Sequence, residues 1–235
     1  MTSAPDLSAF GATPLHPLSG GHRNAVWRAD LAGRPMVAKS TRRSDAALRW
    51  LFPLQAAARQ VGFIVPHLIE TPSGPAPNGW TLEALVEGHA ATAPALAALA
   101  PRISAFHATT GDLPQRPGFA SCRELPQVLR GGDIDLTQLP NEVGEICASA
   151  WRGLAGTDCA IHGDLCAANI ILGPDGPALI DWDEARKDLP FFDLVATSPM
   201  SADQKRAHLA WEVASCWQAE PTRARALLLE LRASE

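Results

Sequence analysis

The sequence predicts an α+β protein of two lobes: a small N-terminal antiparallel-sheet lobe over residues 1–87 and a larger, mainly helical C-terminal lobe over 88–235. Three observations predict it. Strand-like runs with a Gly-containing turn dominate the first third, helical periodicity dominates after Gly88, and the change of character falls at Glu87-Gly88. A chain of 235 residues is long enough to bury a real core in one large domain or two small lobes.

In order, Ala25–Leu31 and Met36–Ser40 read as two strands joined through Ala32-Gly33-Arg34-Pro35, a hairpin pattern. Ser44–Val61 carries Ala, Leu and Trp at helical spacing and stops at Gly62. Ile64–Ile69 and Trp80–Val86 read as further strands around the turn-rich Thr71–Gly79. Pro94–Thr109 predicts an amphipathic helix with Leu96, Leu99, Ile103 and Phe106 along one face. Helices are also expected over Ser121–Leu129, Leu139–Leu154, Ser201–Trp217 and Thr222–Arg232. Short strands are expected at Ala160–Ile161, Ile170–Leu172 and Pro177–Ile180, the last two joined by the turn Gly173-Pro174-Asp175-Gly176.

Composition is that of an ordinary globular protein, with 46% hydrophobic and 19% charged residues. There are 17 Arg but only 3 Lys and no Tyr, so each Lys that is present carries more weight. The net charge of -5 is uneven: residues 1–80 carry 8 basic and 4 acidic side chains, and residues 81–235 carry 12 and 21. A basic front suits phosphates, and an acidic back suits a metal or a cationic substrate. The basic residues are scattered, which argues against nucleic acid as a partner. Five Cys without a C-x-x-C pair argue against a disulfide framework and against zinc, and fit a reducing cytoplasm. Met1–Pro17 lacks the pattern of a signal peptide, and no run approaches 18 apolar residues, so no membrane span is expected.

The chemistry concentrates in His162-Gly163-Asp164-Leu165-Cys166-Ala167-Ala168-Asn169, followed twelve residues later by Asp181-Trp182-Asp183. Asp164 is placed to orient a hydroxyl and accept its proton. Asn169 and Asp181 offer oxygen ligands for magnesium beside ATP. Asp183 is an assisting carboxylate, and His162 reads as a brace for the loop through hydrogen bonds. Lys39, the only Lys in the first 186 residues, ends an apolar strand and supplies a point charge for nucleotide phosphates. The adjacent Gly20 and Gly21 allow backbone N–H groups close to an anion. Trp211, Trp217 and Glu212 can be read as a cation site or, for the tryptophans, as core.

These motifs closely resemble the signature of the aminoglycoside phosphotransferase and choline kinase-like family, whose members share the protein-kinase-like fold. The resemblance rests on His162-Gly163-Asp164 with Asn169, on Ile180-Asp181-Trp182-Asp183, and on the weaker Val37-Ala38-Lys39, Val65-Pro66, Val86-Glu87-Gly88, Phe106-His107 and Pro190-Phe191-Phe192-Asp193-Leu194. It implies Asp164 as catalytic base, Asn169 and Asp181 as magnesium ligands, and Lys39 on the α/β-phosphates. It further implies that residues near Glu83–Val86 hold adenine, and that Asp193 supports the catalytic loop. The family pattern places a glutamate on the helix after Lys39; Ser44–Val61 has none, and offers Asp45 and Gln55 instead.

The function expected is that of an ATP- and magnesium-dependent kinase of a small, hydroxyl-bearing acceptor, in which a cationic or polyhydroxy compound suits the acidic C-terminal half. The alternatives are a catalytically weak kinase relative that binds nucleotide or a metabolite, and a metal-dependent hydrolase built on the same acidic cluster.

Overall fold

The computed structural model describes residues 4–18 and 23–234, so Gly20 and Gly21 lie outside the described residues. The chain divides into two compact units. One comprises residues 1–90 with Ile171–Ile180, the other Ala91–Ile170 with Asp181–Glu235. The polypeptide thus returns to the first unit for ten residues, which a single boundary at residue 87 does not anticipate.

In the first unit, strands β1 (Thr13–Pro17), β2 (Val26–Leu31) and β3 (Arg34–Ser40) are followed by helices α1 (Asp45–Arg49) and α2 (Leu51–Gln60). Strands β4 (Trp80–Ala84) and β5 (His89–Ala90) come next. β1 through β4 form an antiparallel sheet in sequence order, with Val26 opposite Lys39 and Lys39 opposite Thr81. The alternation of the strands sorts their side chains by face. Trp27, Ala29, Met36, Ala38 and Leu82 are buried with Leu7, Phe10 and Ala12 in one core. Val37 and Lys39 take the other face, with Thr81 and Glu83 beside them in register.

In the second unit, α3 (Ala93–Ala98), α4 (Ala100–Ala108) and α5 (Leu125–Val128) precede the two-residue strands β6 (Arg130–Gly131) and β7 (Ile134–Asp135). Helix α6 (Asn141–Ala150) leads to β8 (Cys159–Ile161). Strands β9 (Ile170–Gly173) and β10 (Gly176–Leu179), where the chain runs through the first unit, make the expected hairpin, and β9 also pairs with β5. β11 (Arg186–Asp188) pairs antiparallel with β8, and α7 (Phe191–Leu194), α8 (Ala202–Cys216) and α9 (Pro221–Ala233) complete the chain. The core of this unit is built on Trp151, Phe191, Phe192 and Trp211 with the aliphatic residues of α6, α8 and α9.

Several elements differ from expectation for local reasons. The helix expected over Ser44–Val61 is split at Trp50, and Pro53 cannot donate to the Arg49 carbonyl there. The helix expected over Pro94–Thr109 is split at Leu99, where Pro101 likewise has no N–H for the Ala97 carbonyl. Ile64–Ile69 is not a strand but two isolated bridges, from Ile64 to Ala178 and from Leu68 to Glu83. Pro66 lacks a ladder donor, and Arg59 takes the Val65 and Pro66 carbonyls at 3.0 and 3.4 Å. Of Ser121–Leu129 only Leu125–Val128 is α-helical; Glu124 accepts the Ser121 N–H at 2.8 Å in a preceding turn, and Leu129 stops the helix at φ +64°. β1 was not expected, nor was β11.

Candidate active site

Residues Ile161 to Asn169 leave β8 as a loop, and Asp193 of α7 organises its start. The fully buried Asp193 carboxylate accepts the His162 N–H at 2.8 Å, the Gly163 N–H at 2.7 Å and a bond from His107 Nε2 at 2.9 Å. Burial alone would push this carboxyl up, but the His107 hydrogen bond, the His107 and His162 charges and the His162 N–H together hold it below the usual carboxylate range. Gly163 stands at φ +85°, and a Cβ there would run into the Glu184 carbonyl and come within 2.7 Å of Arg186 Nη1. Glycine is therefore required by both conformation and space.

His162 is fully buried, with its ring 4.8 Å from that of Trp182, and its Nδ1 lies 3.3 Å from the Asp164 N–H. This is the bracing role expected of it. Asn169, at the end of a single 3-10 turn, donates through Nδ2 to both the Asp164 carbonyl at 2.8 Å and Asp164 Oδ2 at 2.9 Å. One side chain thereby fixes the carboxylate and leaves its own Oδ1 as an oxygen donor. Desolvation by the surrounding protein pushes the Asp164 carboxyl up; the Asp181 and Glu212 charges add to that push, while His162 and the Asn169 bond oppose it. The Asp164 side chain is nevertheless exposed to solvent, which screens much of this effect.

Asp181 follows β10 and adopts φ +61°, a left-handed conformation uncommon for a residue with a Cβ. Trp182 is buried against Phe106 and His162, with ring centroids 6.1 and 4.8 Å away, so it serves packing. The second unit thus brings Asp164, Asn169 and Asp181 into one electrostatic neighbourhood. Lys39, Glu83 and Val86 belong to the first unit: Lys39 is half-buried on the sheet face it shares with Glu83, and Val86 lies just past the end of β4. Of the stand-ins for a helix glutamate, Asp45 is 3.8 Å from Arg49, and Gln55 is buried within α2.

The reading of Trp211 and Glu212 as a cation site is corrected by what already occupies them. The Arg186 guanidinium lies 3.4 Å over the buried Trp211 ring, and Glu212 accepts from Arg223 at 2.6 Å. The protein supplies its own cations there. Sequence reasoning missed Arg116, Arg186 and the role of His107. Arg116 stands in an irregular Pro-Gln-Arg-Pro stretch with no periodicity to mark it, whereas Phe106-His107 was visible as a motif without a role.

Residues 14–228 match the sequence model of the phosphotransferase enzyme family. The chain belongs to this family and is a phosphotransferase. No curated protein matches it in sequence. Among solved structures, it is similar to an amicoumacin kinase in complex with AMP-PNP, Ca2+ and Ami, with a TM-score of 0.66 and 15% identity over 94% of this chain and 86% of that one. It is also similar to the choline kinase of Streptococcus pneumoniae, with a TM-score of 0.62 and 16% identity over 93% and 94% of the two chains. A third, the GDP and kanamycin complex of an aminoglycoside phosphotransferase, has a TM-score of 0.59 and 12% identity over 98% and 94%. At these identities the likeness establishes the protein-kinase-like fold. Among the described residues no helix is long and apolar enough to cross a membrane.

Proposed function

We propose that the protein transfers the γ-phosphoryl group of ATP to a hydroxyl of a small acceptor, with magnesium as the metal. The observation that carries this reading is the Asn169–Asp164 hydrogen bond beside Asp181: a carboxylate held in one orientation and raised toward the proton it must take.

The donor set fits magnesium. Asn169 Oδ1 and the Asp181 carboxylate are hard oxygen ligands. Among the described residues no group of three or more His, Cys, Asp or Glu side chains forms a metal cage. A magnesium ion bound by one carboxylate and one amide would complete its shell with phosphate oxygens and water, the usual manner for this ion. Bound there, it would neutralise charge on the phosphates.

Asp164 accepts the proton of the attacking hydroxyl as the acceptor oxygen bonds to the γ-phosphorus, and the bond to the β-phosphate oxygen breaks to release ADP. Asn169 keeps Asp164 aimed, while Asp193 holds the backbone of His162 and Gly163 so that the loop does not reorganise during the step. Lys39 is assigned to the α/β-phosphates, the Gly20-Gly21 turn to the same anion, and Glu83 to Val86 to adenine. The acceptor class that suits the surplus of acidic residues after residue 80 is an amino alcohol, an amino sugar or a related polyhydroxy metabolite. The proposed setting is the cytoplasm, with neither nucleic acid nor membrane as partner.

The test is magnesium-dependent ADP release across a panel of amino alcohols and amino sugars. Turnover with one acceptor that disappears in Asp164→Asn, with ATP affinity retained, is the expected result. A second reading, a nucleotide- or metabolite-binding relative with weak catalysis, is favoured by the neutral Gln55 and by Asp45 lying beside Arg49. Nucleotide binding without magnesium-dependent turnover on any acceptor would decide for it.

A further inference from the structure

The four carbonyls that follow Asp181 all meet buried guanidinium groups. Arg116, only 1% exposed, donates through Nη1 to the Trp182 carbonyl at 3.1 Å, the Asp183 carbonyl at 2.9 Å and the Ala185 carbonyl at 2.9 Å. Arg186, fully buried, donates through Nη1 to the Glu184 carbonyl at 3.2 Å and through Nε to Asp188 at 2.8 Å. Carbonyl dipoles converging on one point repel one another unless a cation sits at their centre, and Nη1 of Arg116 takes the place a structural cation would fill. The Phe119 ring backs the same guanidinium, 4.2 Å from its carbon.

These contacts bear on Asp181 directly. Its left-handed backbone at φ +61° is uncommon for a residue with a Cβ, and such a conformation persists only where its surroundings hold it. Fixing the peptide planes of Trp182, Asp183 and Ala185 fixes the chain direction out of Asp181, and hence where its carboxylate points. We propose that Arg116 is a positioning residue for the metal-binding carboxylate of Asp181, acting as an internal cation for the loop behind it. The proposal rests on the reading of Asp181 as a magnesium ligand.

The test uses Mn2+ as a paramagnetic substitute, titrated into the full-length protein with a non-hydrolysable ATP analogue and followed by electron paramagnetic resonance. Arg116→Gln should weaken nucleotide-dependent Mn2+ binding by about 10–100-fold, the range typical of residues that orient metal ligands. Metal-free nucleotide affinity should be unchanged. Arg116→Lys, which restores a cation to the carbonyls, should recover most of the loss. Arg123→Gln is the control for general destabilisation: Arg123 donates to the Gly156 carbonyl at 3.2 Å and pairs with Asp158, and its loss should leave Mn2+ binding alone. If Arg116→Gln does not fold, Phe119→Ala decides, since removing the backing ring should weaken Mn2+ binding in the same direction. Wild-type Mn2+ affinity in Arg116→Gln, or in Phe119→Ala where that variant has to serve, overturns the proposal. A wild-type protein without nucleotide-dependent Mn2+ binding removes the metal-site reading itself, and the proposal with it.

Discussion

Replacing Asp193 by Asn changes one atom and tests how the catalytic loop is held. In the folded protein Oδ2 accepts from His107 and the His162 N–H, and Oδ1 accepts from the Gly163 N–H. An asparagine satisfies the Oδ2 pair best with its carbonyl oxygen, which turns its NH2 group against the Gly163 N–H. The hydrogen bond from the half-buried Gly163 N–H to a charged group is lost, worth about 1.5–3 kcal/mol. Loss of the buried charge opposite His107 acts in the same direction, so a total of about 3–5 kcal/mol is expected.

The assay is urea unfolding of both proteins across pH, with kcat measured on any acceptor that turns over. Because the native carboxyl is held below its unfolded value, its stabilisation is complete above about pH 3.9 and is lost as pH falls through the lower native value. The gap between wild type and Asp193→Asn should therefore be full at neutral pH and close under strong acid. A gap below about 1 kcal/mol at pH 7, or one that widens with acid, would refute the account of Asp193 as the anchor of this loop.

Three further outcomes are expected. Gly163→Ala should destabilise by more than the roughly 1–3 kcal/mol of backbone strain, because its Cβ also meets the Glu184 carbonyl and Arg186; thermal unfolding measures this. Asp164→Asn should lower kcat about 10²–10⁴-fold while raising thermal stability. The raised native carboxyl makes ionised Asp164 a destabilising group as pH rises through its folded value, so the stability gap between the metal-free wild type and the variant should open with rising pH. Thiol alkylation of the native protein followed by mass spectrometry should mark Cys166 first. Cys122, Cys147, Cys159 and Cys216 are buried, burial pushes Cys147 and Cys159 up to about 12, and labelling of these four should wait for denaturant.

The amino-acid sequence by itself determined the features whose physics is local. The five-residue spacing of Asp164 and Asn169 needs only one 3-10 turn to become a hydrogen bond. Gly173-Pro174-Asp175-Gly176 is a turn in almost any surroundings, and the apolar run Met36-Val37-Ala38 was enough to mark the strand that carries Lys39. Both the family and the order of sheet before helices were legible for the same reason.

Only the tertiary structure decided what depends on partners far along the chain. Arg116 reaches the carbonyls after Asp181 across 66 to 69 residues, and His107 reaches Asp193 across 86. Neither contact leaves a periodic trace: Arg116 bonds to backbone carbonyls, which constrain no residue type at the other end, and the His107–Asp193 pair joins two single side chains far apart in the chain. The return of Ile171–Ile180 to the first unit, with the Ile64 bridge to Ala178, was hidden likewise. Strand pairing is set by what two distant segments bury together, and that is a property of the assembled core rather than of either segment.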